Sequence, residues 1–180
     1  IRYAEISARL SELGSQFANH VLDATRAWSK HVVTDSQLAG LPDTALKMAQ
    51  SQAEAKQLPG FLLTLDAPCY IAVMNYANDR ELRREMYEAY VTRASECGPH
   101  AGEFDNSGII TEILQLRHEL AVLLGFPSFA DYSLATKMAE SPQQVADFLW
   151  NLVDRSRPFA VQDFHTLRAF AEEKYGYNEI

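Results

Sequence analysis

ITEILQLRHELAVLLGF, residues 110–126, can be read as two different objects, and the choice decides the fold. His118 followed by Glu119 opens like the metal-binding pattern H-E-x-x-H. In that pattern two histidines four apart share one helical face and bind one zinc, while the glutamate activates the bound water. The fifth position here is Val122, which has no lone pair to offer. At 100° per residue, Ile109, Ile113, Leu116, Leu120, Leu123 and Leu124 fall on one apolar stripe, and His118 sits about 200° from Leu116. The stretch therefore reads as an amphipathic helix with His118 on its polar face.

Composition agrees with a packed helical chain. The 180 residues are 47% hydrophobic, enough for one domain or one large piece of a bigger one. Sixteen Lys and Arg against 24 Asp and Glu give a net charge of −8, mixed along the chain with no basic stripe, which argues against a nucleic-acid partner. Cys69 and Cys97 show no regular spacing, so a disulfide scaffold is not expected and a reducing, cytoplasmic compartment is. No apolar run approaches the roughly 18 residues that would span a bilayer, and no signal-peptide layout opens the chain.

Periodicity places helices almost throughout. Tyr3, Ile6, Leu10, Leu13, Phe17 and Val21 repeat at three and four, predicting one helix over about 2–27. No capping residue precedes it, so its start is expected to be a cut from a longer protein. A helix is predicted over 42–57. KHVVT (30–34) and FLLTLD (61–66) are short apolar or β-branched runs bounded by turn residues, which predicts a small two-stranded ribbon. Asn78 with Glu81, Ser128 with Asp131 and Ser141 with Gln144 read as helix starts, with Pro142 at the favoured first position. The first of these opens a helix over 79–96, and CGPHAGEFDNSG (97–108) breaks the chain before the helix of 109–126, which Gly125 closes. From Pro142 the stripe Val145, Phe148, Leu149, Leu152 and Val153 continues through Phe164, Leu167 and Phe170, with a kink or break expected at Pro158. The fold class is all-α with a minor two-stranded ribbon; no internal domain boundary and no repeat is seen over 1–180.

Other metal chemistries fail on spacing. A di-iron bundle needs Glu-x-x-His, yet the residues three before His20, His31, His100, His118 and His165 are Phe17, Trp28, Cys97, Gln115 and Gln162. Cys97 and His100 have a possible ligand spacing but no second cluster to complete a tetrahedron. Phosphate-binding glycine loops are missing. Tyr87, Tyr90, Phe126, Phe129 and Phe148 fall at helical spacing and read as core, and DRELRRE (79–85) as a solvated face. The residues themselves nominate no catalytic and no metal-binding position.

Four ordered blocks add a resemblance that runs over nearly the whole chain: FLLTLDAPCYIAVM (61–74), REMYEAYVTRAS (84–95), ILQLRHELAVLLGF (113–126) and ADYSLATKMAESPQQVADFLWNLVDRSRP (130–158). In these blocks the chain resembles the helical, non-catalytic part of the thimet-type zinc oligopeptidases. That resemblance implies a parent enzyme whose zinc-activated water attacks short peptides in a deep channel, with the zinc held by a His-Glu-x-x-His motif in a carboxy-terminal half. It implies that this chain is an internal segment ending at KYGYNEI (174–180), before that half begins. The segment would then supply scaffold and part of the channel wall, be inactive alone and need no zinc itself. No catalytic or metal residue of the family maps onto any position here, and substrate-binding residues are left unassigned. The alternative is a helical interaction or adaptor domain with an exposed apolar groove, whereas a segment would expose apolar faces at its cut edges, above all on the helix of 2–27.

Overall fold

A computed structural model describes residues 1–176 of the chain; Tyr177, Asn178, Glu179 and Ile180, the end of KYGYNEI, lie outside the described residues. The chain divides into two compact units, Ile1–Leu116 and Arg117–Ile180. Among the described residues there are seven α-helices and one two-stranded antiparallel sheet, the all-α class with a minor ribbon.

The first unit begins with α1 (Arg2–Ala27), which has no side-chain cap and buries Ile6, Leu13 and Ala24. These three lie on the stripe that the periodicity marks. Strand β1 (Ser29–Val32) pairs with β2 (Phe61–Thr64) in the register Ser29↔Thr64 to Val32↔Phe61. Between them run a 3₁₀ turn (Asp35–Leu38) and α2 (Asp43–Ala55), which packs on β2. Neighbouring strand residues point to opposite faces, and Leu62 and Leu63 are both buried, so β2 is covered on both sides. This is why FLLT is a continuous apolar run and not an alternating one. Gly60, at φ 85°, makes the turn into β2 so close to β1 that a Cβ there would lie 2.5 Å from the Val32 carbonyl oxygen.

Next come α3 (Ala67–Tyr76) and α4 (Arg80–Val91). Helix α3 went unread in the sequence because APCYIAVMNY is apolar on nearly every side and shows no stripe; Pro68 in its first turn was the available signal. The start of α4 also differs from the sequence reading. Its cap is Asp79, not Asn78: the Asp79 carboxylate accepts from the Glu81 and Leu82 amides at 2.9 and 3.2 Å. Asn78 is engaged elsewhere, its amide donating to the Ala39 carbonyl at 2.8 Å. Helix α4 ends at Val91 and not at Glu96, since Ala94 enters the left-handed region at φ 54°. The core gathers Trp28, Val32, Leu38, Leu63, Leu65, Val73, Leu82 and Met86 from these elements. Each fully buried side chain of this size contributes roughly 1.5–3 kcal/mol.

Helix α5 (Ser107–Leu123) carries the opening stretch. Within it Leu120 and Ala121 are buried, Ile109, Ile113 and Leu116 half-buried, and His118 exposed. Gly125 at φ 79° ends it, with the Phe126 amide returning to the Ala121 carbonyl at 2.9 Å.

In the second unit the Ser128 hydroxyl caps α6 (Phe129–Leu134), accepting from the Asp131 amide at 3.2 Å. Ser141 caps α7 (Pro142–Tyr175) through the Gln144 amide at 3.2 Å, while the Gln144 side chain accepts from the Glu140 amide at 2.7 Å. Pro142 stands at the first position as expected. Pro158 does not break α7: the helix runs 34 residues through it. Proline there removes one hydrogen bond, the one Asp154 would accept, and the rest of a long helix carries the chain across.

Candidate functional site

Three polar constellations and a set of open cavities are the places where chemistry could reside. The first constellation is centred on Asn106, the one buried polar residue among those described, at 2% exposure. Its side-chain NH₂ donates to the Phe17 carbonyl at 3.2 Å, which leaves its oxygen to accept from His20 Nδ1 at 2.9 Å. Its amide donates to the Ala94 carbonyl at 3.0 Å, and its carbonyl receives the Ile110 amide at 2.8 Å. Asn106 thus ties α1, the loop after α4 and the start of α5 together with every polar group satisfied. Substituting it would remove both side-chain bonds, each to a part-buried partner, at about 1–3 kcal/mol.

The second constellation is a stack. Tyr70 and Tyr90 lie face to face at 3.9 Å, and the Arg93 guanidinium sits 3.6 Å from the Tyr90 ring centroid. Arg93 also donates to the Tyr90 carbonyl at 2.8 Å and to the Thr25 hydroxyl at 2.7 Å. Burial, followed by the neighbouring Tyr90, pushes the Tyr70 phenol up, so it stays neutral. Such a stack fixes helices; it contains no activated nucleophile or base.

The third joins α1 to α5. Arg9 grips Glu112 through two bonds, at 2.6 and 2.8 Å, and also reaches Glu12 at 2.8 Å. The Arg9 side-chain bond holds the Glu112 carboxyl below its ordinary range, and the two glutamates raise Arg9 in return. The pair is solvent-facing, so its worth is modest.

The sequence candidates do not converge with any of these. His118 and Val122 are both exposed on α5. His100 pairs with Glu103 at 2.8 Å, and Cys97 is exposed in the same loop. Cys69 is buried, with burial raising its thiol and the Thr64 amide donating to its sulfur at 3.4 Å. Among the described residues no three His, Cys, Asp or Glu side chains come together at metal-binding distance. The donor set among the described residues does not fit a zinc site.

Two open cavities in the second unit were not foreseen, because a hollow depends on how α6, α7 and their connections pack, which the periodicity of one helix does not report. One of 430 Å³ is lined by Phe126, Pro127, Asp131, Lys137, Glu140 and Pro142 among others. A neighbouring one of 340 Å³, lined by Leu134, Val145 and Leu149, is almost wholly apolar. Two of the charged groups of the first are engaged, Asp131 by the Ser128 hydroxyl at 2.6 Å and Lys137 by the Ser133 hydroxyl at 2.7 Å. These walls can seat a small guest.

Fold and site together describe a helical scaffold with apolar hollows at one helical corner. Comparison with known proteins identifies its kin. The peptidase family M3 pattern matches residues 73–180. The chain is 57% identical over 179 residues to oligopeptidase A of Escherichia coli (strain K12), a match covering 99% of this chain and 26% of that protein. It is 54% identical over 179 residues to oligopeptidase A of Haemophilus influenzae, with the same coverage of each. It is 38% identical to a probable cytosolic oligopeptidase A of Arabidopsis thaliana, covering 96% of this chain and 25% of that protein. The chain belongs to peptidase family M3. It spans about a quarter of the length of the curated relatives it matches.

Proposed function

We propose that this chain is a segment of a zinc metallo-oligopeptidase that hydrolyses short peptides in a deep channel, and that it supplies scaffold and part of the channel wall. The observation that carries this is the 57% identity along 99% of the chain to a protein of which the chain spans only 26%. The reading assigns bond cleavage to residues outside 1–180, and zinc to donors that lie there too. The residues present do structural work in support: Asn106, Arg93 and Arg9 brace α1 against α4 and α5. The hollows beside α6 are walls of the kind a peptide channel needs. The compartment proposed is the cytoplasm, supported by the cytosolic Arabidopsis relative. No helix among the described residues is long and apolar enough to cross a membrane.

The test uses the 180-residue chain as it stands. Equilibrium dialysis against zinc and incubation with a short fluorogenic peptide should give neither tight binding nor cleavage. Exchanging the matched segment of Escherichia coli oligopeptidase A for this chain should give a chimera that cleaves the peptide. Chelator-sensitive cleavage by the isolated chain, or one zinc bound per chain and lost on His118→Ala, would overturn the proposal; so would an inactive but folded chimera.

A further inference from the structure

Helix α7 has an apolar surface too wide for one neighbour. At 100° per residue, Phe148 and Phe159 mark one edge of its apolar arc and Trp150 and Val161 the other, with Leu149, Val153, Phe164 and Leu167 between. The arc covers about 220°, twice the roughly 100° stripe of a helix that lies on a single core. Asp147, Asn151, Asp154, Arg155 and Gln162 fill the remaining strip, while Arg157, Asp163, Arg168 and Lys174 are the charged residues that fall within the arc. The helix is 34 residues long and, among its described residues, buries only Ala171 outright. The edge residues are open in this chain: Phe148 at 63%, Phe159 at 69%, Trp150 at 65% and Val161 at 48% exposure. Scattered apolar residues on a surface need no explanation, but a wide arc this dense in large exposed apolar side chains does.

We infer that α7 is an interaction surface clasped from two sides, and that its occupant is the part of the same peptidase polypeptide lying outside residues 1–180. This rests on the proposed function. The family match covers all of α7, and relatives that share this stretch carry about three times as much chain again to cover it. A helix of 34 residues extends roughly 50 Å, which is long enough to run across a domain. Two apolar layers, one meeting the Phe148–Phe159 edge and one the Trp150–Val161 edge, satisfy the arc and leave the polar strip to water. A second copy of this chain, meeting α7 by one face, would leave one edge open.

The chimera with Escherichia coli oligopeptidase A tests this by cysteine accessibility. Phe159→Cys and Val161→Cys, made singly, are mild enough to keep the fold, and alkylation at each is followed by peptide mass spectrometry. Both sites should react more than about tenfold more slowly in the chimera than in the isolated chain at a concentration where it is monomeric. An Asn151→Cys control on the polar strip should react alike in both. In thermal melts of the chimera, the pairs Phe148→Asp with Phe159→Asp and Trp150→Asp with Val161→Asp should each lower the Tm by several degrees. Unchanged rates at both sites, or protection at one edge only, would overturn the inference. So would protection in the isolated chain alone that rises with its concentration, which would make the occupant a second copy. Peptide cleavage by the unsubstituted chimera is read separately, so an inactive but folded chimera counts against the proposed function whatever the alkylation pattern.

Discussion

At the scale of single residues, Leu120, Leu116 and His118 share one helix but not one fate. Leu120 is buried at 5% exposure, and its replacement by Ala should cost about 2–5 kcal/mol. Leu116 is only half-buried and should cost less, while His118→Ala on the exposed face should stay within about 0.5 kcal/mol. Urea melts of the three variants rank them; a His118 variant as damaged as the Leu120 one would contradict the helix reading of the opening stretch. Gly60→Ala should also destabilise, by roughly 2 kcal/mol or more. Its φ of 85° disfavours any Cβ, and the Val32 carbonyl leaves no room for one. Melting temperature checks this, and an unshifted value would mean that the turn relaxes freely. The polar face of His118 was legible because a stripe is a local property. Asn106 was not: it sits in FDNSG, where an asparagine reads as a turn residue, and its burial depends on Phe17 and His20, which lie far away in sequence.

At the scale of elements, the bond between Arg9 on α1 and Glu112 on α5 makes stability depend on pH. The Arg9 side-chain bond holds the Glu112 carboxyl below its ordinary value in the folded chain. Its contribution is therefore full above that value and is lost as pH falls through the lower folded one. Acid unfolding should be shallower in Glu112→Gln than in the parent sequence over this window, with the two curves parallel near neutral pH. Denaturation midpoints across an acid pH series measure it, and an identical acid limb would remove Glu112 from the account. The elements themselves were read from the sequence wherever a stripe or a cap was present, as for α1, α5 and α7. They were misread where no stripe shows or neighbouring residues compete: α3 hides because its sequence is apolar on nearly every side, and the α4 start shifts by one because the Asp79 carboxylate takes the Glu81 and Leu82 amides. Of the kink or break expected at Pro158, the break does not occur: proline removes one bond, and the helix continues on both sides of it.

At the scale of the whole molecule, the question is where the apolar surface goes when the chain stands alone. The sequence reading expected exposed apolar faces above all on the helix of 2–27. Helix α1 does expose Tyr3, Phe17 and Leu22, yet it also buries Ile6 and Leu13 at 1% or less. Helix α7 exposes more, from Phe148 to Phe170. Periodicity marks an apolar face but not what lies against it, so this imbalance was not readable from the stripe alone. Hydrophobic association is roughly proportional to the area removed from water, and an arc of this extent exceeds what monomeric proteins usually display. The net charge of −8 opposes association only weakly, because salt screens it at short range. The isolated chain should therefore self-associate, with a sedimentation coefficient that rises across a concentration series and rises further with added salt. Aspartate at Phe148 and Phe159 should flatten that rise more than aspartate at Phe17 and Leu22, since the α7 pair is the more exposed. A strictly monomeric chain at every concentration would mean that the arc is tolerated in water, and the case for a covered α7 would lose its driving force.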